Sequence, residues 1–443
     1  MGHAHDHHVK VVDKFEFAGS ARKLTLGLIG VGLVLFVLGI ILAMNAGDSH
    51  AAGQDTHGSL APASQTVTLT SAGGEHGGAA HHGPLGGWLG RLWSNILLNG
   101  VYFLGVAILS LFFIAYNYVS EAGWYAFFKR LPESMAHFIF IAFPILIVTF
   151  LLGKDYLYFW TNPEIAAHDE LLIKKAAYLN EGFFIVRQVF IFGLWAIFLV
   201  LFRQASLNED KLGTTQYHKK LVALSAVFIV VFGLSISVVA WDWVMSIDAH
   251  WFSTMFSIRI FSNALITFFC VLALLMIFLR NQGYFPAFNK SHQHDIGKYI
   301  FGFSIFWAYI WFCEFLLIWY ANIPEEGFYF RQRLDFYGWQ FAMNAVLNLL
   351  LPLLVLMTND SKKNDTILAT VAGILLLGHW NDLYMMIFPG TMGNSWSIGL
   401  LEIGAFLFFG GLFLFVTFTV LSRSALVPKN HPMLQESLHH HYY

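Results

Sequence analysis

The sequence predicts an all-α polytopic membrane protein with about ten transmembrane helices. Hydrophobic residues make up 57% of the 443-residue chain and charged residues only 12%, whereas a soluble domain is about 25% charged. The apolar residues are gathered into runs of about 20, the length of helix that crosses a bilayer core of about 30 Å. The net charge of −2 indicates nothing about nucleic-acid partners, because few surfaces of such a protein face water.

The apolar runs are predicted to be helices, because lipid cannot satisfy the backbone polar groups of an open strand. The short alternating segments typical of a membrane β-barrel are also missing from the sequence. The predicted spans cover residues 24–44, 95–119, 135–153, 182–202, 221–240, 257–279, 299–320, 340–357, 367–388 and 398–421.

The spans divide the chain into seven predicted units. The first apolar run is too long for the core of a cleaved signal peptide, so we expect it to remain as a span. A stretch rich in Gly, Ala, Ser, Thr and His, 47–87, contains little that could form a core and is predicted to be a flexible outer loop. The units are a tail (1–23), a first helix (24–46), the loop region (47–94), a four-helix unit (95–241), a second four-helix unit (242–389), a last helix (390–422) and a second tail (423–443).

Lysine and arginine are distributed unevenly between alternate connecting segments. With the N-terminus inside, 17 of them fall in inner segments and six in outer segments. Positively charged loops favour the cytoplasmic side of a membrane. The sequence therefore predicts a multi-pass protein of the bacterial inner membrane with both termini in the cytoplasm.

The sequence offers no ligand set for a redox centre. Cys270 and Cys313 lie inside apolar runs without a partner motif, which argues against a disulfide framework, an iron–sulfur cluster and a CxxCH haem site. His137 and His379 are the histidines of the predicted spans, too few for a cytochrome b bundle or a haem–copper core. Histidines at both ends of the chain are expected to bind transition metals only adventitiously. We therefore predict no specific metal site in this chain.

A short polar interruption between two apolar runs, residues 241–259, combines three tryptophans with charged side chains. Its sequence, WDWVMSIDAHWFSTMFSIR, is predicted to form a turn on the outer side of the membrane. Tryptophans at such a position favour an aromatic belt at the headgroup level. Residues near helix ends can also be interfacial anchors or caps, which is the alternative function for Asp155, Asp242, Asp248 and Arg259.

Ionisable residues inside the predicted spans concentrate in the outer half. Such residues cost a few kcal/mol each in lipid and therefore mark function or internal ion pairs. His379 and Asp382 share one helix face, and Arg187 or Arg259 would supply countercharges to buried carboxylates. Asn344 and Asn348 favour hydrogen bonds between helices. The residues predicted to form a proton path are Glu314, His379, Asp382, Arg187, Glu121 and Glu402, with internal salt bridges as the alternative.

A second group of residues is chemically suited to a quinol. Oxidation of a quinol needs a proton acceptor within hydrogen-bond reach of its hydroxyl group. Carboxylates and histidines near the outer ends of the spans would supply such acceptors. The candidate quinol-binding residues are His137, Asp155, Asp242, Asp248, His250 and Arg259.

Three motifs and the ten-span plan make the chain similar to a known family. The motifs are WDWVMSIDAHWFSTMF (241–256), FCEFLLIWYANIPEE (312–326) and HWNDLYMMIFP (379–389). Together they resemble the polysulfide-reductase-type, NrfD-like membrane subunits of bacterial alternative complex III. The resemblance extends over residues 24–421. That complex contains two such subunits, and the chain resembles the shorter one more than its larger, quinol-binding paralogue.

The resemblance implies two four-helix bundles, spans two to five and six to nine, with two flanking helices. It also implies a subunit that conducts protons within a complex that oxidises menaquinol or ubiquinol and reduces cytochrome c or a terminal oxidase. Haem c and iron–sulfur clusters would belong to partner subunits, and further partners would be the paralogous membrane subunit and the lipid bilayer. The 47–87 insertion departs from the compact family pattern.

The residues are also compatible with two other functions. One alternative is a subunit that itself binds the quinol, and the other is a secondary transporter that couples ion and solute movement. Transporters usually carry paired helix interruptions in both halves, whereas the prolines within the spans, Pro144 and Pro352, lie in noncorresponding helices. A purely structural subunit is the remaining alternative.

Overall fold

The computed structural model describes residues 14–52, 87–394 and 397–440. Across these ranges the protein contains helices and no strand, apart from one isolated antiparallel bridge between Lys14 and Ala425. The same ranges contain ten helices that are long and apolar enough to cross a membrane. The predicted all-α, multi-pass membrane fold is therefore confirmed.

We number the spanning helices α1 to α10, and each overlaps one predicted span. Most are longer than predicted because polar residues extend the helices beyond the apolar run. Their bounds are Gly19–Ala52, Gly87–Val119, Arg130–Leu157, Glu181–Leu212, Thr215–Trp243, Met255–Asn281, Lys290–Ala321, Glu326–Val355, Asp365–Met392 and Leu400–Leu421. Short helices lie at Ala126–Phe128, Phe159–Thr161, Pro163–His168, Glu170–Lys175, Met245–Asp248, Asn359–Lys363 and Leu434–Leu438.

Two spanning helices are interrupted. Helix α3 consists of two pieces that meet at His137 and Phe138. Helix α8 contains a π-helical turn, Val346–Leu350, directly before Pro352. A proline ring clashes with the carbonyl group four residues earlier, so the wider turn accommodates Pro352 without ending the helix.

Helices α2 and α6 occupy the centre of the molecule and are the most buried of the ten. Helix α2 packs against α3 and α5, and α5 packs against α4, which gives a first bundle of α2 to α5. Helix α6 packs against α7 and α9, and α9 packs against α8, which gives a second bundle of α6 to α9. The two bundles meet along α2 and α6, in the arrangement that the family resemblance implies.

Helices α1 and α10 pair outside the bundles through glycines. A Cβ atom added at Gly39 would lie 2.4 Å from the backbone nitrogen of Leu401, and one at Gly404 would lie 2.3 Å from that of Phe36. Glycine at these positions lets the two backbones approach more closely than any larger residue permits. Most of the rest of α1 is exposed on the surface of the protein, and only 11% of its most apolar stretch is buried.

The helices alternate between two faces. The terminal face carries the connections 120–129, 213–214, 282–289 and 356–364 together with the C-terminal segment 422–440. The distal face carries the connections 158–180, 244–254, 322–325 and 393–399, of which 395 and 396 lie outside the described residues. The Lys14 to Ala425 bridge places the two described chain ends on the same face.

The predicted loop 47–94 is helical where the structure describes it. Helix α1 continues to Ala52 and α2 begins at Gly87, so residues 47–52 and 87–94 belong to helices. Residues 53–86 lie outside the described residues. The same is true of 1–13, which contains the N-terminal histidines, and of 441–443.

The predicted aromatic belt at the 241–259 turn is wrong for two of its three tryptophans. Trp243 is 0% exposed and Trp251 is 2% exposed. The indole nitrogen of Trp243 donates a hydrogen bond to the side-chain oxygen of Gln188, 2.7 Å away, and Trp251 stacks on Tyr329 with ring centroids 3.7 Å apart. These rings pack in the protein interior because the turn folds back over the bundles, which hydropathy alone does not reveal.

Candidate functional site in the second bundle

Three helices of the second bundle bring charged side chains together. Arg259 lies one turn inside the distal end of α6, Glu314 lies in the distal half of α7 and Asp382 lies in α9. The guanidinium of Arg259 donates to Glu314 Oε2 at 3.0 Å and to Asp382 Oδ1 at 2.6 Å. All three residues are at most 3% exposed. The prediction that Arg259 is a countercharge to buried carboxylates is confirmed.

Asp382 is the most heavily hydrogen-bonded member of this cluster. Its Oδ2 accepts from the side-chain amide of Asn263 at 2.9 Å and from the indole of Trp307 at 3.0 Å. Its Oδ1 also accepts from Asn344 at 3.2 Å. Asn263 lies four residues after Arg259 and therefore on the same face of α6. Sequence reasoning missed Asn263 and Trp307 as hydrogen-bond donors to the Asp382 carboxylate. The four-residue spacing between Arg259 and Asn263 could have indicated Asn263.

The charge of the cluster is unbalanced. Two carboxylates, Glu314 and Asp382, share the single guanidinium of Arg259, and no other ion pair among the described residues reaches them. An unpaired charge is costly in a membrane interior. Binding of one proton by either carboxylate would make the cluster neutral.

His379 lies beside this cluster without joining its hydrogen bonds. Its side chain is 0% exposed, and in the described part of the chain neither ring nitrogen has a hydrogen-bond partner. The ring meets Trp307 edge to face at a centroid distance of 5.4 Å. Asn263 links the two residues instead, since its amide donates to the His379 carbonyl at 3.0 Å as well as to Asp382. His379 and Asp382 lie on one helix, but among the described residues no hydrogen bond joins their side chains.

Other buried polar atoms near the cluster also lack partners. Within the described ranges these include Glu314 Oε1, both side-chain amide atoms of Gln340 and Asn348 Oδ1. Buried polar groups without partners are rare in proteins, and each requires an explanation such as bound water or a functional state. Asn344 and Asn348 do bond across to α9, through Asp382 and the Gly378 carbonyl, as predicted.

The first bundle contains a separate ion pair. Arg187 of α4 binds Asp242 of α5 through two parallel hydrogen bonds of 2.8 and 2.9 Å. Gln188 donates to the same carboxylate at 2.5 Å. This pairing confirms Arg187 as a countercharge. It also separates Arg187 from the proton-path residues of the second bundle.

The two remaining proton-path candidates lie elsewhere. Glu402 at the start of α10 binds Arg91 at 2.6 and 2.7 Å and Asn95 at 3.0 Å, which ties α10 to α2 on the distal side. Glu121 lies in an exposed turn at the terminal face, with a left-handed φ of 47°. Of the six candidates, the structure brings together only Glu314, His379 and Asp382.

The six candidate quinol-binding residues do not form one site. His137 lies at the break in α3, where its Nδ1 is 2.7 Å from the Glu133 carbonyl oxygen, and Asp155 is exposed. Asp242 and Arg259 belong to the two separate ion pairs described above, and Asp248 accepts from Arg333 at 3.0 Å. None of the six lines the cavity of about 30 Å³ that lies between the bundles, beside Asn263.

His250 contacts a different part of the distal face. Its Nε2 lies 2.5 Å from Asp169 Oδ2 in the connection between α3 and α4. Desolvation raises the pKa of Asp169, but the hydrogen bond to His250 and those from the backbone N–H groups of Leu172 and Leu171 lower it by more, so the net pKa lies below the usual value. Asp169 is also the N-cap of the helix Glu170–Lys175.

Replacement of Asp169 separates its charge from its capping role. Asp169→Asn keeps a good N-cap and should lower the unfolding free energy by roughly 0.5 kcal/mol, whereas Asp169→Ala should cost about 1 kcal/mol more. Because the pKa is lowered in the folded state, the charge contribution is complete above about pH 4 and is lost as the pH falls below that. Thermal unfolding at pH 3 to 7 should show the two Tm curves of wild type and Asp169→Asn converge only at the acidic end.

A second buried charged cluster lies at the terminal face, and sequence reasoning did not predict it. Lys129 donates to Glu209 Oε2 at 2.7 Å and to the Tyr118 hydroxyl at 2.8 Å. Arg130 donates to Glu133 at 2.7 Å. Arg130 and Glu133 lie three residues apart on one helix. Glu209, in contrast, lies 80 positions from Lys129 and 91 from Tyr118 in the sequence, so no local pattern links Glu209 to the other two.

Comparison with known proteins adds no identification: no model of a known protein family matches the chain, and no curated protein matches it. The functional interpretation therefore depends on the residues and their geometry.

Proposed function

We propose that this chain is a proton-conducting membrane subunit of a quinol-oxidising respiratory complex of the alternative complex III type. The observation that carries the proposal is the buried cluster in which Glu314 and Asp382 share Arg259. One proton neutralises this cluster, and unpartnered acceptors at Glu314 and His379 lie in the same bundle. A membrane interior retains such groups at a cost of a few kcal/mol each, which is the usual signature of a proton relay.

The position of the cluster suits release of protons on the outer side. All three charged residues lie in the distal halves of their helices. The excess of lysine and arginine in the segments of the terminal face supports a cytoplasmic location for that face in a bacterial inner membrane. The distal half of the second bundle would then face the side on which the complex oxidises quinol.

The partners follow from the same proposal. The paralogous quinol-binding membrane subunit would deliver protons, and iron–sulfur and haem c subunits would accept the electrons. Transfer of electrons onward to cytochrome c or a terminal oxidase would occur on those partners. This chain would contribute the proton path, and its own residues would hold and pass protons at Glu314 and the Asp382 cluster.

Glu314→Gln tests the proposal with little risk to folding, because Arg259 keeps Asp382 as its partner. The complex, purified from native membranes and reconstituted into vesicles, should still reduce haem with added quinol. We expect proton movement per electron, followed with an entrapped pH dye, to fall by at least half. Ser304→Ala, which removes a buried hydroxyl from the same helix that bonds only to the Ile300 carbonyl, is the matched control and should leave the ratio unchanged.

Three results would count against the proposal. Unchanged proton movement in Glu314→Gln, with normal assembly, would remove Glu314 from the path. An equal loss in Ser304→Ala would show that packing, not proton binding, causes the effect. Purification of the chain as a lone homo-oligomer without haem or iron–sulfur partners would remove the respiratory function and favour a transporter.

A further inference from the structure

Three potential metal ligands meet at the terminal end of the first bundle. Glu209 lies in the last turns of α4, His218 lies in the first turns of α5, and His431 lies in the C-terminal segment that follows α10. One ligand atom from each of these side chains lies within 4.8 Å of the other two. The site therefore connects the α4–α5 hairpin to a segment more than 200 residues away.

The ligand atoms are buried and free of other partners. Glu209 is 1% exposed and His431 is 4% exposed. Among the described residues, Glu209 Oε1, His218 Nδ1 and His431 Nε2 have no hydrogen-bond partner. His218 Nδ1 approaches Glu209 Oε1 to 3.4 Å. Three unsatisfied polar atoms that converge in a buried site indicate a missing ligand.

The surroundings hold these side chains in place. Lys129 binds the other oxygen of Glu209 at 2.7 Å, which directs Oε1 toward the histidines, as hydrogen bonds to ligating carboxylates do. The backbone N–H of Lys429 donates to Asp210 Oδ1 at 3.1 Å, and the Asn430 amide donates to the Asp210 carbonyl at 2.8 Å. These contacts place the tail against the hairpin and bring His431 into position.

We propose that Glu209, His218 and His431 bind a divalent transition-metal ion of the zinc class. Two imidazole nitrogens and one carboxylate oxygen are a common ligand set for Zn²⁺, with water at the fourth position. Magnesium and calcium prefer all-oxygen sites, so the two histidines favour a transition metal. The bound ion would fasten the C-terminal segment to the α4–α5 hairpin.

The ion pairs beside the site carry equal numbers of positive and negative groups. The positive groups are Lys129, Arg130 and Arg203, and the negative groups are Glu133, Glu209 and Asp210. Ligation through His431 Nε2 places the remaining proton of that ring on Nδ1. The backbone N–H of Met433, which lies 3.2 Å from Nδ1, must then turn away, so metal binding should change the tail just after His431.

The test is metal binding by the full-length protein in mild detergent after treatment with a chelator. Because the histidines at both ends of the chain are expected to bind metals adventitiously, the informative quantity is the change in the number of tight sites per chain. Titration with Co²⁺ and with Zn²⁺ should give one tight site that His218→Gln and His431→Gln each weaken by at least 100-fold. The Co²⁺ absorption bands of a four-coordinate site should disappear in both variants. His439→Gln, which changes an exposed tail histidine, is the matched control and should retain the site.

A second measurement separates a folding defect from a lost ligand. Zn²⁺ should protect the chain from proteolysis after residue 421 in wild type and in His439→Gln, but not in His218→Gln. His218 is the most exposed of the three ligands, with 15% of its side chain accessible, so its replacement should leave the metal-free fold intact. Equal Co²⁺ affinity in wild type and both ligand variants, or equal protection by Zn²⁺ in His218→Gln, would overturn the proposal.

Discussion

Arg259→Gln should be among the most destabilising single substitutions in this protein. The change removes the only cation that contacts Glu314 and Asp382 among the described residues and leaves two buried carboxylates without a countercharge. Breaking a buried ion pair from one side typically costs about 3–5 kcal/mol. We expect a large fall in the Tm of the detergent-purified protein and a low yield of folded chain.

A neutral version of the same cluster supplies the control. Arg259→Gln combined with Glu314→Gln and Asp382→Asn keeps the shapes of the two carboxylate side chains and removes every charge of the cluster, so most of the lost stability should return. Arg331→Gln, which changes an exposed arginine on α8, should alter the Tm little. If the triple variant is no more stable than Arg259→Gln alone, the cost comes from lost packing rather than from unpaired charge.

Gly404→Leu should separate α1 from the rest of the protein. Even a Cβ atom at this position would lie 2.3 Å from the backbone nitrogen of Phe36, and no side-chain rotation relieves a clash with backbone. Overpacking of this kind costs about 1–3 kcal/mol or more. Helix α1 contacts mainly α10, so the expected result is loss of α1 from the assembled molecule rather than global unfolding.

A cleavable chain measures that separation directly. A protease site inserted between residues 60 and 75 allows α1 to be cut from the other nine spanning helices after purification. The α1 fragment should co-purify with the remainder in wild type and be lost in Gly404→Leu. Gly30→Leu is the matched control, because an added Cβ there meets nothing within 4 Å. Retention of the α1 fragment in Gly404→Leu would show that the close approach of α1 and α10 at Gly404 does not hold α1 in place.

The spans and the buried charges of the second bundle could be predicted from the sequence. A membrane helix needs about 20 apolar residues, and a charge within such a run must find a partner. Depth along the helix therefore indicated Arg187 or Arg259 as the countercharge of the buried carboxylates, and the structure pairs Arg259 with Glu314 and Asp382. Which face each helix presents depends on packing, and for this reason the donors Asn263 and Trp307 were missed.

The terminal-face residues could not be predicted, for a different physical reason. Glu209, His218 and His431 lie outside the apolar runs, where hydropathy carries no information about contacts. His431 meets the other two only because the C-terminal segment folds back across the bundle. The same limit explains the tryptophans at 243 and 251, since a polar turn can lie at the headgroups or fold inward. The six candidate quinol residues were grouped by depth and by chemical type, and neither property distinguishes one bundle from the other.

The pairing of α1 with α10 has a consequence for the biosynthesis of the protein. Helix α1 is synthesised before the other nine spanning helices of the described ranges, yet its main partner is α10, which begins more than 340 residues after α1 ends. Until α10 is made, lipid must cover the face of α1 that later packs against α10, which the hydropathy of α1, the highest among the ten spans, makes favourable. Closure of the glycine contact is thus expected to be the final step of assembly, and a chain truncated before α10 should keep α1 inserted in the membrane but unattached to the bundles.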